Sequence, residues 1–389
     1  MKHIITFCFL LANISSLLGV NKFPLEMVKT PADKNSLAPN LCKLGDYFLL
    51  SWIESDGNSA AQVQIASWDG TNFSHKSIVA ESKQMFVNWA DIPSVIEAPS
   101  GDLYAHWLDR ISSKNYAYGA RIARSINQGK SWKSIGWLHK DLSETEHGFV
   151  SLIADNLHVR AFWLDGRMMT KPNGKMMLRT AIIDGDKIKD EHVLDNDVCT
   201  CCPTSAVQLS TGPIVVYRDR SPREIRDISF VLQRDDAWSE PTIIQADNWL
   251  MPGCPVNGAS IAANAEFVAI SRFTFVHNKA KVILRLFKEG KVKSGTEIVL
   301  DEDAPIGRCT TVCTKDSAYT VWIGLEKKQT VLRLANVSSA GEIMGITTLA
   351  SINGSRSSGM PRVIISKGYL WVSWTDSNNI RLGRLKIDN

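Results

Sequence analysis

The chain has 389 residues, 44% hydrophobic and 22% charged, with 44 Lys and Arg against 40 Asp and Glu for a formal charge of +4. This composition excludes a disordered, collagenous or coiled-coil chain. The basic residues form no run or stripe, so no nucleic-acid partner is expected.

The first residues read as a secretory signal. Lys2 and His3 form a short positive end, residues 4–12 an apolar core that contains Cys8, and Ser15, Ser16 and Gly19 a small-residue cleavage region. The expected organisation is therefore a signal at residues 1–19 and an exported chain, secreted or periplasmic, over residues 20–389. No later stretch approaches the roughly 20 apolar residues that span a bilayer, so no membrane span is expected. Seven cysteines remain after the signal, in a compartment where disulfides persist.

Beyond the signal, an apolar run ending in an aromatic and then an acid recurs along the chain. Taking Trp52, Trp107, Trp163, Tyr217, Arg272, Trp322 and Trp374 as equivalents, the intervals are 55, 56, 54, 55, 50 and 52 residues. Each unit adds an alternating strand before this run, a third strand after it, and a fourth beyond a tight turn such as Asp69-Gly70, Asp184-Gly185 or Asp235-Asp236. Short hairpins need residues that tolerate positive φ, which Asn, Asp and Gly do. Four short antiparallel strands per unit, repeated radially, predict an all-β chain folded as a single β-propeller. Seven blades are favoured, with six blades and an appended segment as the alternative. The last unit has three strands, and residues 23–28, extended and containing Pro24, are expected to supply the fourth and cover its edge.

Residues 125–132, Ser125-Ile126-Asn127-Gln128-Gly129-Lys130-Ser131-Trp132, occupy the turn of the second unit. They resemble the Asp-box, Ser-x-Asp-x-Gly-x-x-Trp, of sialidases and related secreted propellers, with Asn127 in place of Asp. The resemblance implies a structural role for Ser125, Asn127, Gly129 and Trp132, away from any catalytic centre. It also implies, for an enzyme, a glycoside hydrolase of the exo-alpha-sialidase type. That family uses three Arg on the substrate carboxylate, an acidic acid/base, and a Tyr activated by Glu. The early Arg-Ile-Pro signature is missing from the first unit, and sialidases usually have six blades. The chain is similar to secreted sialidase-like proteins that carry Cys-Pro motifs.

The repeat separates packing residues from the rest. The register aromatics, and the acids two places after them (Glu54, Asp109, Asp165, Asp219, Asp376), recur and read as structural. Departures from the repeat are more informative. Arg272 stands where the other units have Trp or Tyr, and its guanidinium needs either an acid from a neighbouring blade or an anionic ligand. Residues 217–227 hold Arg218, Arg220, Arg223 and Arg226 among three acids, either a self-paired loop or an anion site at the mouth of the ring.

The cluster Cys199, Cys201, Cys202, with Cys254 one unit later and Cys309 another unit on, is expected to converge near one mouth. A disulfide from Cys201 or Cys202 to Cys254 is the leading reading. Copper or zinc on these thiolates, with His147 as a nitrogen ligand, is the alternative, and no cofactor is required. Cys309 and Cys313, about 13 Å apart if extended, are not expected to bond each other.

Position alone adds Asp91, His147, Arg308 and Arg362 at or before first strands, and Arg110 after a second strand. Asp91, Asp109 and His147 are the candidate catalytic groups. Arg110, Arg218, Arg220, Arg226, Arg272, Arg308 and Arg362 are the candidate substrate-binding ones. Two functions follow. One is a propeller that binds, with or without hydrolysis, an acidic glycan or other anionic small ligand at the channel mouth. The other is a non-catalytic exported scaffold or thiol/metal protein working through the Cys-rich rim.

Overall fold

Alternating apolar and polar residues in short runs, punctuated by Gly, Asn and Asp, fold as antiparallel hairpins. The computed structural model describes residues 24–55, 57 and 60–387. The signal expected at residues 1–19 lies outside the described residues. Seven antiparallel sheets follow one another along the chain, and no α-helix occurs among the described residues. Blade 1 consists of Ser36–Leu44, Tyr47–Glu54, Ala61–Trp68 and Ser77–Ser82 in that order.

The first strands of the other blades are Ser94–Glu97, His147–Asp155, Ser205–Leu209, Ser260–Ala263, Gly307–Cys313 and Arg362–Ser366. Each first strand neighbours the next around a central channel, and the seventh meets the first. The fold is a seven-bladed β-propeller. Six blades with an appended segment are excluded. At the outer edge of the seventh sheet, Glu26–Val28 runs antiparallel to residues 382–384, and Glu26 pairs with Arg384 at 2.7 Å.

Between each pair of adjacent blades lies one apolar cluster, seven among the described residues. The register side chains sit in these clusters. Trp52, Trp163, Tyr217 and Trp322 are fully enclosed, as is Arg272, at 1% exposure. Burying an aromatic of this size stabilises the ring by roughly 2–3 kcal/mol.

A polar head on each such side chain must still find an acceptor, and two solutions appear. Trp52 and Trp163 donate their indole N–H to the acid two places on, Glu54 and Asp165, each at 2.8 Å. In blades 4, 5 and 6 the acceptor is instead an acid at the outer side of the preceding blade. Tyr217 Oη donates to Asp195 at 2.5 Å, Arg272 Nε to Asp247 at 2.9 Å, and Trp322 Nε1 to Asp301 at 2.7 Å. These acids precede their partners by 22, 25 and 21 residues. The sequence reading missed them, although the interval is as regular as the register itself.

The connections between second and third strands divide the ring. Blades 5, 6 and 7 close with two-residue turns, His277-Asn278, Lys327-Lys328 and Ser377-Asn378, all at positive φ. Blades 2, 3 and 4 instead carry residues 111–117, 166–176 and 219–227 there. These longer connections stand at the same end of the ring as the segments leading into the first strands. Blade 4 departs from the repeat again at its outer edge. Pro241 cannot donate to the ladder, and the fourth strand breaks into Ala237–Trp238 and Thr242–Ile243, both paired with Ile228–Arg234.

Candidate functional site

The first strands line a cavity of about 510 Å³ whose walls include Asp91, Ser94, Ser151, Thr204, Thr311 and Arg362. Hydroxyls tie neighbouring blades together along it. Ser205 Oγ accepts the Ile261 N–H at 3.2 Å, and Ser260 Oγ accepts the Thr311 N–H at 3.0 Å.

The mouth end of this channel is shaped by a repeated bulge. Ala38, Phe149 and Arg308 occupy equivalent places in blades 1, 3 and 6, and all three adopt positive φ, at 55°, 53° and 56°. A bulge re-aims the side chain it carries, and a non-Gly residue held there needs support from its surroundings. In two blades the support is visible. Asp91 Oδ2 accepts the Phe149 N–H at 2.7 Å, and Asn257 Oδ1 accepts the Arg308 N–H at 2.6 Å. Glycines 148 and 307 precede the two bulges because a Cβ there would lie 2.1 Å from Asp91 Oδ2 and 2.4 Å from Asn257 Oδ1.

Asp91 is therefore buried, at 2% exposure, with Tyr118 also hydrogen-bonded to it. Burial pushes its carboxyl up to about 7, despite the opposing pull of those two donors. Glu146, beside the same tyrosine, is pushed up to about 7 by burial as well. Two carboxyls that gain protons near neutrality, next to a phenol, form a group capable of proton transfer. Asp109 pairs instead with Arg121, at 3.9 Å.

His147 is fully enclosed. Its Nδ1 lies 3.3 Å from Asp165, and its ring stacks on His139 at 4.3 Å. Asp165 also accepts the Trp163 indole and three bonds from Arg167, one from its backbone and two from its guanidinium, and His147 with Arg167 holds it well below the usual carboxylate range against the effect of its burial. Desolvation pushes His139 down to about 4, so it stays neutral and accepts the Ala120 N–H at 3.2 Å.

The seven candidate arginines separate in the same way. Arg218 is 1% exposed and donates to the carbonyls of Asn257, Arg226 and Phe273. Arg220 and Arg226 both pair with Glu224 at 2.5 Å. Arg272 bonds Asp247 and Glu297. Arg220 and Arg226 are thus paired within the charged loop, Arg218 is held by carbonyls, and Arg272 has its acids. Arg110 is exposed, with its guanidinium 4.9 Å above Phe86.

Arg308 and Arg362, on adjacent blades, differ from all of these. Arg308 lies 4.4 Å over the Trp89 ring and donates to the Gly359 carbonyl at 3.0 Å. Arg362 Nε is buried without a hydrogen-bond partner among the described residues. Burial pushes both guanidiniums down to about 10, in Arg308 with the repulsion of Arg356 added, and no carboxylate among the described residues opposes it.

The cysteines meet beside this mouth. Cys201 is bonded to Cys254, and Cys199 Sγ lies 3.9 Å from Cys201 Sγ and 3.6 Å from Cys202 Sγ. Cys202 Sγ accepts the Asn257 N–H at 3.4 Å. Of the two pairings left open by the sequence, the structure takes Cys201. The sulfurs of Cys199, Cys201 and Cys202 lie within 4.8 Å of one another, but the bond to Cys254 removes one thiolate from any ligand set. His147 is engaged with Asp165 and His139 instead. Cys309 and Cys313 are free, in the same strand.

In residues 125–132, Ser125 Oγ accepts the Gly129 N–H at 2.9 Å and Asn127 Oδ1 accepts the Ser131 N–H at 3.0 Å. Trp132 packs on the cluster between blades 1 and 2.

No protein-family model and no curated protein matches the chain. Solved structures do. A protein of unknown function from Dyadobacter fermentans superposes with a TM-score of 0.51 at 12% identity, over 96% of this chain and 100% of that one. Trypanosoma rangeli sialidase superposes with a TM-score of 0.47 at 10% identity, over 85% of this chain and 58% of that one. A putative glycoside hydrolase from Parabacteroides distasonis gives 0.41 at 8% identity, over 96% and 95%. The structural neighbours thus include sialidase and glycoside hydrolase propellers. At these identities the likeness is one of fold, and chemistry has to be argued from the site.

Proposed function

We propose that this is an exported propeller that holds an anionic glycan at the channel mouth, with Arg308 and Arg362 as the carboxylate receptor. The observation that carries the reading is the pair of desolvated guanidiniums without counter-ions on adjacent blades. A buried cation is costly unless paired, and the planar fork of Arg matches a carboxylate or sulfate with two parallel bonds. Trp89 holds Arg308 in place through its ring face. The glycan part of the reading rests on the resemblance of residues 125–132 to the Asp-box. Export rests on the signal read at residues 1–19 and agrees with the Cys201–Cys254 disulfide. No helix among the described residues is long and apolar enough to cross a membrane.

Binding of a sialoside or uronide panel tests the reading. Arg308→Ala with Arg362→Ala should lower affinity at least tenfold, since each hydrogen bond to a charged group is worth about 1.5–3 kcal/mol. Unchanged affinity in the double variant would remove these residues from the site. A hydrolytic function is favoured separately by Asp91, a channel-wall carboxyl that is protonated near neutrality and bonded to Tyr118. Turnover of a fluorogenic sialoside or uronide that disappears in Asp91→Asn supports it, and no turnover across the panel leaves binding alone.

A further inference from the structure

The four sulfurs beside the mouth are arranged by depth. Cys254 is exposed and Cys201 half-buried, whereas Cys199 and Cys202 are enclosed, at 0% and 1% exposure. The surface pair is the disulfide, and the buried pair is reduced. Cys199 stands between the two, in contact with one sulfur of the disulfide at 3.9 Å and with the other buried thiol at 3.6 Å. The hydrogen bond with Cys202 favours the Cys199 thiolate most, with the charges of Arg226 and Arg218 adding to it, and Arg226 Nε is buried without a hydrogen-bond partner among the described residues. A thiolate needs contact with a disulfide sulfur and a stabilised negative charge to exchange with it. A purely structural disulfide needs neither.

We infer that Cys199, Cys201, Cys202 and Cys254 form a dithiol–disulfide exchange site, in which the buried Cys199/Cys202 pair and the surface Cys201/Cys254 pair trade one disulfide. In the first step the Cys199 thiolate attacks Cys201 Sγ. The Cys199–Cys201 bond forms, the Cys201–Cys254 bond breaks, and Cys254 leaves as a thiolate that takes its proton from solvent. In the second step Cys202 loses its proton and attacks Cys199 Sγ. The Cys199–Cys202 bond forms, and Cys201 leaves with the proton. One disulfide and two thiols exist before and after, so no external oxidant or reductant is required. The external partner is a small-molecule disulfide: Cys254, left as a thiol by the exchange, attacks it and releases one half as a thiol, and Cys201 then attacks Cys254 Sγ and releases the other half, so that the chain ends with two disulfides. This inference does not rest on the glycan reading, and either can fail without the other.

Disulfide mapping of the oxidised full chain tests it. The protein is held at about pH 8, quenched in acid, alkylated and mapped by peptide mass spectrometry. Cys199 should be found bonded to Cys201 or Cys202 in at least roughly a tenth of the molecules, as two disulfides within about 30 mV of each other require. In Cys254→Ser, Cys201 should pair with Cys199. Exclusive Cys201–Cys254 pairing at all times in the wild type, with Cys201 left alkylatable in Cys254→Ser, overturns the proposal. So does one equivalent of Co²⁺ bound by the reduced chain with a thiolate charge-transfer band, if no disulfide to Cys199 forms on oxidation, because the cluster is then a metal site.

Discussion

The side chain of Asp91 and the backbone of Phe149 are joined by a 2.7 Å hydrogen bond across the interface of blades 2 and 3, at the point where Phe149 turns to positive φ. Asn257 makes the same bond to Arg308 between blades 5 and 6. An amide oxygen is therefore sufficient as a clasp, and the two possible roles of Asp91 can be separated by one substitution. At about pH 4, Asp91→Asn should retain the bulge and melt near the wild type, whereas Asp91→Ala should lose about 1–3 kcal/mol by orphaning a buried N–H. Denaturant titration measures both, and equal losses in the two variants would show that the carboxylate itself holds the bulge.

The same residue has a pH signature. Its folded carboxyl titrates at about 7, above the ordinary value of 3.8, so the folded state holds its proton where the unfolded state has lost it. Asp91 therefore contributes a loss of stability as pH rises from about 4 to 7, which is complete and constant above 7. Relative to the wild type, Asp91→Asn should gain stability across that window, by at most about 1.4 kcal/mol per pH unit. A flat difference between pH 4 and 7 would contradict the raised titration. Glu146, raised in the same direction, leaves part of the slope in the variant.

Arg272 replaces an aromatic with a buried cation held by Asp247 and Glu297. Asp247→Ala leaves Arg272 with Glu297 alone, and losing its charge-assisted bonds to Asp247 should destabilise the ring by about 1.5–3 kcal/mol. Arg272→Trp with Asp247→Ala restores the side chain used in most blades and should recover a large part of that loss. Thermal melting of the single and double variants checks the coupling.

Gly148 leaves no room for a methyl group. A Cβ there would stand 2.1 Å from Asp91 Oδ2 and 2.7 Å from the Tyr118 ring. Gly148→Ala should push the carboxylate off the Phe149 N–H and reproduce the stability loss of Asp91→Ala without touching Asp91. Additive losses in the double variant Gly148→Ala/Asp91→Ala would show that the two act independently.

Replacing Arg308 by Lys keeps the charge but removes the fork and the flat face that lies on Trp89. If an anionic glycan binds there, Arg308→Lys should weaken it about tenfold, and raising the ionic strength should weaken the wild type further. Affinity insensitive to both would place the ligand elsewhere.

The chain order of the repeat was legible from the sequence alone, because strand alternation, turn residues and the aromatic register are local properties repeated at a fixed interval. That is why the blade count, the enclosed Trp52, Trp163 and Trp322, and the approach of Cys201 or Cys202 to Cys254 could be read without coordinates. The length that by itself suggests two or three domains is accounted for by seven units in one ring. What the side chains at the mouth do was decided only by the tertiary structure. In the sequence, Arg218, Arg220, Arg226 and Arg272 are candidates for anion binding alongside Arg308 and Arg362. Whether a guanidinium is satisfied depends on acids that its own folded loop brings back to it, as Glu224 does for Arg220 and Arg226, and on groups from the neighbouring blade, as Asp247 does for Arg272.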